Sequence, residues 1–327
     1  IRANKYYISN KLRKSVIKEF NKLNKYYIQA KNLGDNTIYS SIPIINKEII
    51  PKKKELNQYD LINIDGIGER RKELLINNGI SNSLLLSKIN PDKYETVFND
   101  IGIINKELIY SIVRQAKVND SCIPLRINKN KSIKHINNYN KILILDIESD
   151  PDERLDFLYG FLELEKDSNS SWDMANYKYE PIFNLNKKNP QNLWTNIRKK
   201  LNSKNKFLII HFGETESSSI KGLARANNLK EEEINNIQSR LIDIHSHIRE
   251  TWILPVKNYT LKSIAKFSGF DWSQKNVDGA KALLWWRVVQ TAKIERIKER
   301  NIIKIKKYNK DDCLGTWEIT KWLLNNE

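Results

Sequence analysis

The run Ile142-Leu-Ile-Leu-Asp-Ile-Glu148 constrains this chain more than any other stretch. It has the pattern of a buried strand, and it ends in two acids one residue apart. Side chains at i and i+2 of a strand leave the same face, so Asp146 and Glu148 project together at the strand's C-terminal end. Two adjacent ionised carboxylates in a soluble core need positive compensation, and a divalent cation is the usual source. An isolated Asp-x-Glu is more often an ordinary strand whose acids face water. The acids carried by later elements of the chain change that reading.

At 327 residues the chain is long enough for one large or two modest domains with their own cores. Cys122 and Cys313 lie far apart and in no metal-ligand spacing, which fits a reducing compartment and excludes a disulfide framework. No stretch of about eighteen apolar residues occurs and the start is not signal-like, so a soluble cytoplasmic protein with no membrane partner is expected. The first residue is Ile1, which points to an excised portion or to the C-terminal part of something longer. A formal net charge of +17 suggests a polyanionic partner, nucleic acid being the commonest. The excess is mostly lysine, in company with abundant Asn and Ile, so part of it reflects an AT-rich genome.

Residues 1–56 form a basic N-terminal segment, with a helix expected over Lys11–Asn24, then Pro43, Pro51 and Lys52-Lys53-Lys54. It carries no catalytic constellation and reads as a docking element or the tail of a missing domain. From Leu61 the chain reads Leu-Ile-Asn-Ile-Asp-Gly-Ile-Gly-Glu-Arg-Arg-Lys. Gly66 and Gly68 bracket Ile67 between two amphipathic helical patterns, which makes a tight helix-to-helix turn. Backbone N–H groups of such a turn, at the start of the second helix, can cradle a phosphate oxygen, and Arg70, Arg71 and Lys72 add charge. A helical hairpin with no ligand has the same pattern. The helical pattern runs to about Val118, with a poorer second hairpin around residues 101–104. Residues 119–140 lose periodicity, contain Pro124 and the basic run Lys129–Lys134, and read as a linker around a solvated His135.

The second domain begins at Lys141. After the first strand come expected strands at Phe157–Leu164, Tyr179–Leu185 and Phe207–His211, with a helix over Asn192–Leu201 before the last. That order predicts a mixed sheet with helices packed on it, in which the later strand returns parallel to the first. Just beyond it the chain reads His211-Phe-Gly-Glu-Thr-Glu216 and enters a helix. Near its end it reads Tyr308-Asn-Lys-Asp-Asp312, where Tyr308 and Asp312 share a helical face.

Asp-x-Glu on the first strand, an acid five positions after His211, and Tyr-x-x-x-Asp on a late helix resemble the DEDDy exonucleases of the ribonuclease H-like superfamily. Within it the chain is similar to the YprB-type nuclease domain. Ile242-Asp-Ile244, and Tyr259-Thr-Leu-Lys-Ser-Ile-Ala265 followed by Gly269, resemble segments of that subgroup. The stretch around Gly66 and Gly79-Ile80 resembles a helix-hairpin-helix motif, although the family usually has a small residue where Lys72 stands. The combination, over residues 57–327, resembles the C-terminal part of RecB-like nucleases, without the acid and lysine motif of their upstream nuclease.

The resemblance implies an α/β, ribonuclease H-like domain over 141–327 behind an all-α hairpin module over 57–118. It implies two Mg²⁺ or Mn²⁺ ions about 4 Å apart, held by Asp146, Glu148 and Asp312 together with one acid from the second motif. The superfamily's second motif normally supplies Asp. Here the spacing favours Glu216, with Glu214 and Asp243 as competitors. Tyr308 would orient the attacking water, and Lys262 either contacts a substrate phosphate or is a surface lysine. Gly66, Ile67, Gly68, Arg70 and Arg71 would meet nucleic acid, DNA before RNA, and an upstream RecB-like nuclease or helicase domain is an implied partner. The expected activity is 3′–5′ exonuclease cleavage that falls in mild acid as the ligands protonate. A non-catalytic nucleic-acid-binding protein on the same fold, and a structure-selective endonuclease, stand as alternatives. His245 and His247, at i and i+2 on a helix, face different ways and make a poor zinc pair. Trp285, Trp286 and Trp317 read as core, and Trp272, in a polar loop, as the better base-stacking candidate.

Overall fold

A computed structural model of the protein describes residues 59–327 except 104, 168–170, 173–176, 186–189 and 203–206. The helix expected over Lys11–Asn24 and the basic run at Lys52 lie outside the described residues.

Gly66 is where the first local prediction meets the backbone. Its φ of +87° is open to glycine and strained for other residues. It turns the chain from a 3-10 turn, Leu61–Asn63, into helix α1, Glu69–Asn77. Short helices α2, Ser83–Lys88, and α3, Glu95–Asp100, follow. A second left-handed glycine, Gly102 at φ +79°, then leads into α4, Lys106–Ser121. Leu61, Ile64, Ile67, Leu75, Phe98 and Ile109 belong to one buried cluster that closes this helical module.

Residues 119–140, expected as a linker, are packed. Leu125–Arg126 forms strand β1, and Ile133 and Ile136 are buried in the core of the following domain. The module itself is hydrogen-bonded to that domain. Gln115 Nε2 donates to the Leu254 carbonyl at 2.7 Å and its Oε1 accepts from the Tyr259 hydroxyl at 3.1 Å. Polar groups buried at a contact have to be paired in this way, because an unpaired one costs the free energy of its lost hydration.

The aliphatic run becomes β2, Lys141–Asp150, the middle strand of a five-stranded sheet. β3, Leu155–Glu165, and β4, Lys178–Phe183, continue the sheet antiparallel on one side. Helix α5, Pro190–Leu201, leads to β5, Leu208–His211, which lies parallel to β2 on the other side, as the order of elements predicted. Helices α6, Glu214–Ala226, and α7, Glu231–Gln238, precede β6, Leu241–Asp243, at the edge. Then come α8, Ile244–Thr251, and β7, Trp252–Ile253, which pairs with β1. Helices α9, Leu261–Phe267, α10, Gly279–Thr291, and α11, Glu295–Asn326, complete the chain.

Alternation along β2 sorts the core. Leu143, Leu145 and Ile147 face α5, α6 and α7, while Ile142 and Ile144 face α8, α9 and α11. Asp146 and Glu148 continue the second row, so the strand's period of two carries both acids toward α11. The ladder shifts register between Glu148 and Ser149, and β2 and β3 stay paired beyond it to Asp150 and Leu155. No described helix is long and apolar enough to cross a membrane.

Candidate metal centre

Three acids from two elements converge on the α11 side of the sheet. One carboxylate atom each from Asp146, Glu148 and Asp312 lie within 4.8 Å of one another. Asp312 is only 6 % exposed, and Asp146 and Glu148 are half-buried. Burial, and the charges of Asp312, Glu148 and Glu216, raise the Asp146 carboxyl far above the ordinary range. Burial and the Asp312 charge push Glu148 up to about 8, against a hydrogen bond from Asn309. Burial lifts Asp312 to about 6, less far because Trp272 and Tyr308 both hydrogen-bond it. The cluster is strained by its own charge, and protonation or a cation relieves it.

The donor set fits a hard divalent cation. It consists of carboxylate oxygens, and two buried ones, Glu148 Oε1 and Glu216 Oε2, have no hydrogen-bond partner in the protein. Lys262 lowers the pKa of Glu148 and Asp312 by its charge. Its ammonium is nonetheless bonded to the Val277 carbonyl and lies 5.7 Å over Trp272 and 5.3 Å over Tyr308. The lysine expected at a substrate phosphate is thus held at the rim of the acid cluster.

Of the three acids competing for the second motif, Glu216 lies beside the cluster. It stands in the first turn of α6, is 5 % exposed, and its charge acts on both Asp146 and Glu148. Gly213, at φ +105°, turns the chain out of β5, and the His211 Nδ1–H donates to its carbonyl at 2.8 Å. Glu214 in the same turn is exposed. Asp243 is occupied elsewhere: its Oδ1 accepts from the backbone N–H of Gly213, His245 and Ser246, which caps α8 and fixes the β5–α6 turn.

Two residues that organise the cluster carry no charge and were not singled out from the sequence. Asn309 is fully buried, and its Nδ2 donates to Asp146 Oδ2 at 2.6 Å while its Oδ1 accepts from the Tyr179 hydroxyl at 2.8 Å. It stands three positions before Asp312, on nearly the same helical face, which is the signal that could have found it. Gly160 sits opposite Asp146 in the β2–β3 ladder and leaves the space that Asn309 fills. An interior strand glycine often marks such a close approach.

The expected stacking role of Trp272 meets a different geometry. Its indole N–H donates to Asp312 Oδ1 at 2.6 Å, Phe270 packs against the ring edge-on at 4.9 Å, and Lys262 covers it. The ring is spoken for by the protein, so it is no open platform for a base. Trp286 and Trp317 are core, Trp286 stacking on Phe157 at 4.6 Å, and Trp285 is half-buried. The imidazoles of His245 and His247 diverge, one toward Phe212 and the other to Glu327.

In the helical module, Gly66 and Gly68 have open space above their Cα atoms and Arg70 is exposed. Arg71 donates to the Gly66 carbonyl at 2.6 Å, and Lys72 forms an ion pair with Asp60 at 2.8 Å. That pair gives the unusual lysine a place. The Ile67 side chain is 4 % exposed and belongs to the core, and its backbone N–H donates to the Ile64 carbonyl at 3.0 Å, so Ile67, expected to meet nucleic acid, has no donor to offer a phosphate.

A protein-family model described as RNase H superfamily matches residues 143–324, more than half of the chain. The search of curated proteins gave no match. A solved structure titled "3′-end specific recognition of histone mRNA stem-loop by 3′-exonuclease" is similar at 14 % identity, covering 64 % of this chain and 80 % of that one, with a TM-score of 0.29.

Proposed function

The chain belongs to the RNase H superfamily, and from that premise we propose that it is a divalent-metal-dependent nuclease that trims nucleic-acid strands from the 3′ end. The observation that carries the reading is the convergence of Asp146, Glu148 and Asp312 within 4.8 Å, with Glu216 adding its charge. These four acids would hold two Mg²⁺ or Mn²⁺ ions. Such ions, when bound, supply Lewis-acid stabilisation of the phosphate and of the attacking and leaving oxygens.

The protein's own groups divide the remaining work. Asn309 holds the Asp146 carboxylate in place. Tyr308, hydrogen-bonded to Asp312 and kept protonated by burial and the neighbouring acids, orients a water toward the phosphate. Lys262 moderates the negative field at the rim. The helical module, through the backbone N–H groups of Gly66 and Gly68 and through Arg70, grips the sugar–phosphate backbone without reading sequence. DNA is the favoured substrate, on the strength of that hairpin.

The test is degradation of a 5′-labelled single strand, as DNA and as RNA, with Mg²⁺, with Mn²⁺ and with EDTA, beside Asp146→Ala. A ladder shortening from the 3′ end, lost with EDTA and with the variant, is the expected result. Internal cuts would instead mark an endonuclease. Binding of both strands without cleavage in either metal would show a non-catalytic nucleic-acid-binding protein.

A further inference from the structure

Adjacent acids on α11 have separate partners in the loop between α9 and α10. Asp311 Oδ2 accepts from the Ser273 backbone N–H at 2.9 Å and from its hydroxyl at 2.5 Å. Asp312 Oδ1 accepts from the Trp272 indole at 2.6 Å. The first pair fastens the loop to the helix and thereby aims the second. Gly315, one turn further along α11, completes the arrangement: a Cβ there would lie 3.3 Å from Trp272 Cζ2. A glycine inside a 32-residue helix costs about 1 kcal/mol relative to alanine. Here its absent side chain makes room for the indole.

We propose that Trp272 is a positioning residue for the metal centre: its indole N–H occupies one oxygen of Asp312 and so turns the other toward Asp146 and Glu148. The inference rests on the metal-dependent reading of the site above. It assigns the loop a role that a surface loop would not have. An aromatic N–H is a donor that cannot accept and cannot ionise, so it fixes the carboxylate without competing for the metal. A charge-assisted hydrogen bond of this length is among the stronger ones available to a side chain. Outer partners of this kind orient ligating carboxylates, and their loss typically weakens metal binding about 10- to 100-fold.

The test is Mn²⁺ binding to the whole chain, read from the paramagnetic resonance signal of the free ion, for wild type, Trp272→Phe and Gly315→Ala. Trp272→Phe keeps an aromatic ring in the loop and removes the donor. Gly315→Ala suits the helix and places a Cβ 3.3 Å from the indole, which must shift by a few tenths of an ångström and so lengthen the same hydrogen bond. Thermal unfolding in EDTA is recorded alongside. The expected result is Mn²⁺ affinity at least about tenfold weaker in Trp272→Phe and weakened in the same direction in Gly315→Ala. Unchanged affinity in either folded variant, with wild type binding Mn²⁺ normally, would overturn the role of Trp272 and leave the metal centre standing. Failure of wild type itself to bind Mn²⁺ would overturn both.

Discussion

Gly160 and Asn309 occupy complementary space: a side chain on the glycine would overlap the asparagine's Oδ1. Asn309 uses that opening to reach Asp146 across the sheet. Gly160→Ala is therefore expected to displace Asn309, destabilise the chain by about 1–3 kcal/mol as overpacking does, and lower nuclease activity at least about tenfold. In urea unfolding, combining it with Asn309→Ala is expected to cost little more than Asn309→Ala alone, since the clash is then gone. Additive losses would contradict the coupling.

The cluster makes stability depend on pH. Glu148 moves from an ordinary 4.5 to about 8 in the folded chain, and Asp312 from 3.8 to about 6. A carboxyl raised on folding favours the folded state below its unfolded pKa and loses that contribution as pH rises through the folded value. In EDTA the melting temperature is thus expected to fall between pH 5 and pH 8, with a smaller fall at saturating Mg²⁺. Scanning calorimetry at both ends of that window, with and without metal, checks the sign.

Neutralising one acid separates stability from function. Asp312→Asn removes a charge that raises Asp146 and Glu148. It should raise the metal-free melting temperature while Mg²⁺-dependent hydrolysis falls by about 100-fold or more, the usual exchange at a strained site. A lowered melting temperature in EDTA would argue against electrostatic strain in the cluster.

Glu216, Glu214 and Asp243 can be told apart by amide variants. Glu216→Gln is expected to weaken Mn²⁺ binding and hydrolysis, and Glu214→Gln, on an exposed carboxylate, to leave both unchanged. Asp243→Asn keeps the oxygen that caps α8 and should change stability little, with only a secondary effect on hydrolysis. Equal losses for all three would mean that the spacing argument picked the wrong acid.

The helical module offers a test that leaves the acids alone. Arg70→Ala, on an exposed side chain, is expected to weaken DNA binding a fewfold. It should also reduce the slope of log affinity against log salt by about 1, as loss of one phosphate contact does. Filter binding at several salt concentrations measures both, and an unchanged slope would remove Arg70 from the interface.

Local patterns were legible wherever the chain's own neighbours carried the information. The aliphatic run of β2, the hydrophobic runs of β3 and β5, and the parallel return of β5 to β2 were all readable from the sequence. The turn at Gly66 was readable too, because a positive φ is a property of one residue, whereas Gly68, at φ −91°, has a backbone open to any residue. The packed state of residues 119–140 was not, since a two-residue strand and a 3-10 turn have no period to detect.

The sequence by itself determined that Asp146 and Glu148 share one face of a strand and that Tyr308 and Asp312 share one face of a helix, because those relations follow from fixed backbone periods. Only the tertiary structure decided that the two faces meet, that Asn309 spans 163 residues of chain to hold Asp146, and that Trp272 spans 40 to hold Asp312. Such contacts depend on where α11 crosses the sheet. That crossing is set by the packing of many apolar side chains together, and no local pattern encodes it.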